Sequence, residues 1–357
     1  MDSFEYNSNP ARVLFGHGTI QKLPEELARL GVTKPLLLCT AGQKHQAEKL
    51  EAILSASVAG IFSKAVMHTP VHITEKAMTY CTSVNADCLI SIGGGSTIGL
   101  GKALGIRTGL PHISIPTTYS GSEMTPILGE TEGGQKMTRS DPKIIPTLVL
   151  YDVDLTMTLP SSTSATSGIN ALAHAIEALY ARNPNPITTI MALEAIKSLS
   201  TSLPEVVVCP ASRSAREAVL YGAWLAAVCL GTVGVALHHK LCHVLGGSIG
   251  LPHAETHTVV LPHVLAYNAP AIPDVMVKLA EVLPESHGDA VVGLNLLLSK
   301  LEVQRALRQL GMKEDDIDGA VDGALASPYW NPRKVERDPL KEVLRRCWAG
   351  EEARADL

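Results

Sequence analysis

The stretch CLISIGGGSTIGLGKA, residues 88–103, decides the fold. An apolar run of strand length ends in three glycines, and helix-forming residues follow at once. Glycine lets a backbone come close to a ligand. A helix N-terminus aims unpaired N–H groups at an anion, and a pyrophosphate is the natural guest. The same letters would also serve a tight strand-to-helix turn with no ligand. The spacing is not the GxGxxG fingerprint of the dinucleotide fold.

Working outward, VLFG (13–16), PLLLCT (35–40), AGIFSKAV (59–66), PHISIPTT (111–118) and TLVLYDV (147–153) are further short apolar runs with helical segments between them. That alternation predicts a parallel, helix-covered, Rossmann-like sheet. The pattern changes after TLPSSTSATSG (158–168). GINALAHAIEALYARN, ITTIMALEAIKSLSTSL, SAREAVLYGAWLAAVCLG and VALHHKLCHVLGG carry apolar residues at intervals of three and four. Pro184, Pro204, Pro252, Pro262 and Pro284 fall in the expected breaks. The reading is an α/β dinucleotide-binding domain over 1–160 and an all-α catalytic domain over 161–357. With no low-complexity linker, the two are expected to share a cleft.

Composition narrows the function. The 357 residues are 46% hydrophobic and 18% charged, with net charge −5. A basic surface for nucleic acid or anionic membrane is excluded, and 4% aromatic content leaves few stacking platforms. Seven scattered cysteines without a CxxC pair fit a reducing compartment. No signal pattern opens the chain and no apolar run spans a bilayer, so a cytoplasmic protein is expected. Symmetry makes a homodimer the default.

Two further segments carry polar chemistry. PTTYSGSEMTP (116–126) places Thr117, Thr118, Ser120 and Ser122 after a strand, where ligands bind in open parallel sheets. LHHKLCHVLGGSIGLPH (237–253) collects four histidines in an apolar setting, with His239 and His243 one helical turn apart. Asn170, His174 and Glu177 share a face of the preceding helical segment, where Glu177 either orients His174 or faces solvent. A metal site is the first reading of such a cluster. His257 and His263 are expected to be core residues, and Cys242 a buried thiol.

GGGS before a helix with Lys102, then IPTT, GSE and a histidine-rich helical half ending in LPH, resembles the iron-containing alcohol dehydrogenase superfamily over almost the whole chain. GGGSTIGLGKA, PTTYSGSEMTPI and GLPHAETH are most similar to its subgroup that reduces maleylacetate. The resemblance implies catalysis between an N-terminal dinucleotide-binding domain and a helical domain. By matching positions, Gly93, Gly94, Gly95 and Ser96 would hold pyrophosphate. Thr117 and Thr118 would lie near the nicotinamide half, and Lys136 would reach the ribose. Relatives that take a metal bind it with one aspartate and three histidines. The matching positions are Asn170, His174, His239 and His253, while His243 matches a non-ligand histidine. Asparagine is neutral, so no catalytic metal is expected. Gly99 stands where aldehyde-reducing relatives carry aspartate, and Pro252-His253-Ala254 where they carry PHG; both fit the subgroup.

The implied reaction is NADH- or NADPH-dependent reduction of the enone C=C of maleylacetate to 3-oxoadipate, in the breakdown of aromatic compounds. The partner is then a small dianion. Imidazole donors would stabilise the enolate, with His243 or His253 as proton donor and His239, His174 and Asn170 as electrostatic and orienting groups. A metal-dependent dehydrogenase of small alcohols, and a nucleotide-binding protein without turnover, are the alternatives. Thr40 ends PLLLCT where an acidic residue would select NADH, so the cofactor stays open between NADH and NADPH.

Overall fold

The computed structural model describes residues 4, 6, 12–54, 58–133 and 135–357, the side chains of 135 and 136 excepted. The chain divides into two compact units, one ending at Leu159 and the other running from Pro160 to Leu357.

In the first unit, β1 (Arg12–Gly16), β2 (Pro35–Leu38), β3 (Gly60–Phe62), β4 (Cys88–Gly93), β5 (His112–Pro116) and β8 (Leu148–Asp152) form one sheet in the order β1-β8-β5-β4-β2-β3. All five neighbouring pairs are parallel. Alternation along the strands explains why both faces are covered. Leu37, Ile90, Ile92, Ile113 and Ile115 point to one face, where Leu23 and Leu27 of α1 (Leu23–Leu30) and Leu50 of α2 (Lys44–Leu54) join them. Leu36, Leu38 and Leu89 point to the other, against Ala77 of α3 (Val71–Ser83) and Leu100 and Leu104 of α4 (Gly95–Thr108). Each such buried aliphatic side chain contributes about 1.5–3 kcal/mol.

The strand order matters for function. After β2 the chain steps outward to β3, whereas after β4 it steps the opposite way to β5. The crevice outside the C-terminal ends of β2 and β4 is therefore the switch point of the sheet. A hairpin of β6 (Ile127–Glu132) and β7 (Gln135–Ser140) stands outside the main sheet; the apolar pattern does not announce it.

Among its described residues the second unit has helices and no strand. Its centre is α5 (Ser161–Leu179), buried from Ser164 onward and packed on α6 (Pro186–Val208), α7 (Arg213–Thr232) and α9 (His253–Asn268). Leu237 and Leu241 of α8 (Leu237–Val244) join Val260 and Val264 of α9 in a core completed by α12 (Asp316–Leu325) and α13 (Arg337–Ala349). Helices α10 (Pro273–Val282) and α11 (Ala290–Lys300) complete the unit. Pro204 and Pro262 correct the expectation of breaks: they lie inside α6 and α9. A proline there costs about 3 kcal/mol, and burial of Leu199, Leu203, Leu261 and Leu265 offsets it. No single helix among the described residues is long and apolar enough to cross a membrane. All seven cysteines are free, and only Cys209 is exposed.

Candidate active site

At the switch point three loops are tied together. Thr40, just after β2, donates to Gln43 Oε1 at 3.0 Å, and Gln43 Nε2 donates to Thr117 Oγ1 at 3.0 Å. Thr117 N–H in turn donates to the Gly93 carbonyl at 3.0 Å. Gln43, which the motifs do not mark, thus spans the ends of β2 and β5 across the glycines.

The three glycines do different work. Gly93 has φ +152°, and an added Cβ would lie 2.6 Å from Gln43 Oε1 and 2.7 Å from Thr97 Oγ1. At Gly94 a Cβ would sit 3.0 Å from Thr118 Oγ1. Both positions are glycine for reasons internal to the protein. Gly95 opens α4, and a Cβ there would meet only Ser120 at an ordinary 3.7 Å. The N–H groups of Gly95 and Ser96 lie in the first turn, where no carbonyl four residues back accepts them. A half-buried helix start flanked by Thr118 and Ser120 is a cradle that fits a pyrophosphate. Lys102, expected only as part of a motif, is 1% exposed. It donates to the carbonyls of Ser122, Thr125 and Ile127, and burial draws its ammonium down to about 7. It fixes the GSEMTP segment from within. Gly99 has Thr69 Oγ1 2.5 Å from where a Cβ would stand, so the larger residue of the relatives has no room. Lys136 lies in β7, and its side chain is outside the described residues.

The second centre is built by α5, α8 and α9. Four of the histidines read from the sequence are joined through ring contacts. His174 Nδ1 and His239 Nε2 are 2.8 Å apart with the rings stacked at 4.9 Å. His239 and His243 are 6.2 Å apart between ring centres. His253 joins through His257, at 4.4 Å from it, and His257 lies 5.0 Å from His239. Exposure is graded: His174 and His239 are buried, His253 is half-buried and His243 is exposed. Asn170 is one turn before His174 on α5, and its Oδ1 is buried without a hydrogen-bond partner.

Three further residues belong to this centre. His257, read as core, is buried at the centre of the cluster and touches His174, His238, His239 and His253. Its HAETH spacing from His253 repeats the one-turn spacing of His239 and His243, a signal the sequence does contain. His238 pairs with His257, Nε2 to Nδ1, at 2.8 Å. Glu177 neither faces solvent nor holds His174: its carboxylate is 2.5 Å from His239 Nδ1 and accepts the N–H of Ala236 and His238. His263 is buried but makes no ring contact with the cluster, and Lys240 reaches out to Ser327. A cavity of about 410 Å³ in this unit is lined by Ser161, Thr166, Glu255 and Thr258 among others, and no histidine lines it.

Burial, and then the neighbouring histidines, hold His238 and His257 well below the usual 6.5, so both are neutral near pH 7. The unfolded chain takes up protons near pH 6.5 that these imidazoles refuse. Stability is therefore present above that pH and is lost as pH falls through it, by up to about 1.4 kcal/mol per unit per group. Melting temperature measured from about pH 7.5 to 5.5 should fall less steeply in His257→Gln than in the wild type. Equal slopes would show that His257 titrates normally.

Metal fit follows from the donors. Asn170, His174, His239 and His253 include no anion, and two of their ring nitrogens are already hydrogen-bonded to each other. They do not fit a divalent ion as an aspartate and three histidines do. His238, Cys242 and His257 have ligand atoms within 4.8 Å of one another and by distance could hold an ion. There the only anion would be the Cys242 thiolate, and burial raises that thiol well above its usual pKa. Binding would have to expel its proton.

Comparison with known proteins gives matching results for both units. Residues 10–153 match the family described as iron-containing alcohol dehydrogenase, and 164–348 match its C-terminal part. A maleylacetate reductase of Rhizobium sp. is 49% identical over 98% of this chain and 99% of its own length. One of Sphingobium indicum is 46% identical over 97% and 98%. The crystal structure of a maleylacetate reductase from Agrobacterium tumefaciens superposes with TM-score 0.94 at 47% identity, covering 99% of this chain and 100% of that one.

Proposed function

The chain belongs to the iron-containing alcohol dehydrogenase family, and from its histidine cluster we propose that it reduces maleylacetate to 3-oxoadipate with NADH or NADPH. The observation that carries this reading is Asn170 in a cluster whose buried carboxylate, Glu177, is already engaged by three N–H donors. The full-length likeness to maleylacetate reductases supports it.

Maleylacetate has two carboxylates and an alkene conjugated to a ketone. Held by its pyrophosphate at the Gly95 end of α4, the reduced cofactor would supply a hydride to the alkene carbon β to the ketone. Negative charge develops on the ketone oxygen, and imidazole N–H groups aimed at it stabilise the enolate. His243 or His253 returns a proton to the α carbon, which histidine does well near neutral pH. His239, His174 and Asn170 orient these groups. An aspartate at 170 would repel a dianion, whereas the Asn170 amide donates to it. Gly93, Gly94, Gly95 and Ser96, with Thr117 and Thr118, would hold the cofactor. No step needs a metal ion.

Oxidation of NADH and of NADPH, with maleylacetate beside a panel of aldehydes, tests the proposal. Turnover is expected with maleylacetate, and is expected to persist after exhaustive chelation. Turnover with aldehydes alone, lost on chelation and restored by iron or zinc, would establish the alcohol dehydrogenase reading instead. Asn170→Asp should gain metal affinity and lose rate toward the dianion.

A further inference from the structure

Glu177 is 62 residues from His239 in sequence, and its side chain is 1% exposed. Oε1 accepts His238 N–H at 2.8 Å, and Oε2 accepts Ala236 N–H at 3.0 Å and lies 2.5 Å from His239 Nδ1. The first two contacts cap α8, whose N-cap residue Ala236 brings no side-chain acceptor. The third has a different consequence. A carboxylate only accepts, so in the neutral form of His239 the hydrogen is on Nδ1 and Nε2 carries a lone pair. That lone pair faces His174 Nδ1 at 2.8 Å, so the His174 hydrogen is on Nδ1 as well. His174 Nε2 then carries the lone pair.

We infer that Glu177 is a positioning residue that sorts the histidines into acceptors and donors. Through His239 it sets the tautomer of His174, so neither buried imidazole donates through Nε2. The N–H groups offered to the substrate then come from the better exposed His243 and His253. The kinetic part of this inference rests on the proposed reduction; the tautomers do not.

The test uses the full chain labelled with ¹⁵N at histidine, without substrate. In the wild type, His239 and His174 should both show a protonated Nδ1 and an unprotonated Nε2. In Glu177→Gln the amide oxygen can still accept His238 N–H, while the NH₂ in the place of Oε2 donates to His239 Nδ1 and no longer accepts Ala236 N–H. Both tautomers should flip. A fixed tautomer can be worth up to about 10⁴-fold in rate; here kcat with maleylacetate should fall about 10²-fold, with KM for NADH unchanged. Adding His174→Ala to this variant should cost no more than the worse single change, because the two act as one unit. A wild-type His239 protonated at Nε2 overturns the inference even if Glu177→Gln does not fold. So does a Glu177→Gln variant with flipped tautomers and normal kcat, which would leave Glu177 as a helix cap only. If the wild type does not turn over maleylacetate, the proposed function fails, while the nitrogen shifts still decide the tautomers.

Discussion

His253→Ala and His243→Ala will each lower turnover of maleylacetate by about 10²–10⁴-fold, the range for losing a proton donor or an oxyanion donor. NADH affinity should barely change, because neither residue belongs to the loops after β2, β4 and β5. The exposure gradient sharpens the test. His243 is exposed, so truncating it removes little packing and should move stability within about 0.5 kcal/mol. A rate loss at unchanged melting temperature then has a chemical cause. His253 is half-buried, and its ring rests 4.4 Å from His257, so some loss of stability accompanies the loss of rate. Melting temperature and turnover on the same samples separate the two. Normal rates per folded molecule in both variants would place the reacting groups elsewhere.

Gly95→Val is expected to cut NADH affinity at least about tenfold, roughly 1.4 kcal/mol, in a protein that still folds. The choice of glycine decides whether the experiment means anything. Side chains at Gly93 or Gly94 would strike Gln43, Thr97 or Thr118, so lost binding there could reflect a distorted loop. At Gly95 the nearest protein atom is 3.7 Å from an added Cβ, so the new methyl groups enter the space over the first turn of α4 instead. Fluorescence titration with NADH reads the result, and an unchanged affinity would remove the pyrophosphate from this turn.

Legibility from sequence followed the range of the interaction. The strand, glycines and helix of 88–103 are contiguous, so their pattern alone shows β4, its turn and α4. The buried strands are equally plain, because covering both faces makes them continuous apolar runs. The hairpin of β6 and β7 is not: ILGETE and QKMTRS mix polar with apolar residues, and residues 137–140 are exposed. Pro204 and Pro262 mislead because the burial that keeps them helical comes from other helices. In the site, one-turn spacings mark Asn170 with His174 and His239 with His243. The task of Glu177 is set by amides 59 and 61 residues away, and the place of His257 by a partner on α8. No periodicity reports such pairings.

The capping of α8 by a residue of α5 also bears on the order in which the molecule forms. α8 is eight residues long, too short to persist alone in water. Its first amides find their acceptor only once α5 has packed, after a loop of about sixty residues has closed. The histidine centre is therefore not a local element that folds early and waits for the rest. It is assembled together with the core of its unit, and a chain that has not finished folding does not yet hold these histidines in register.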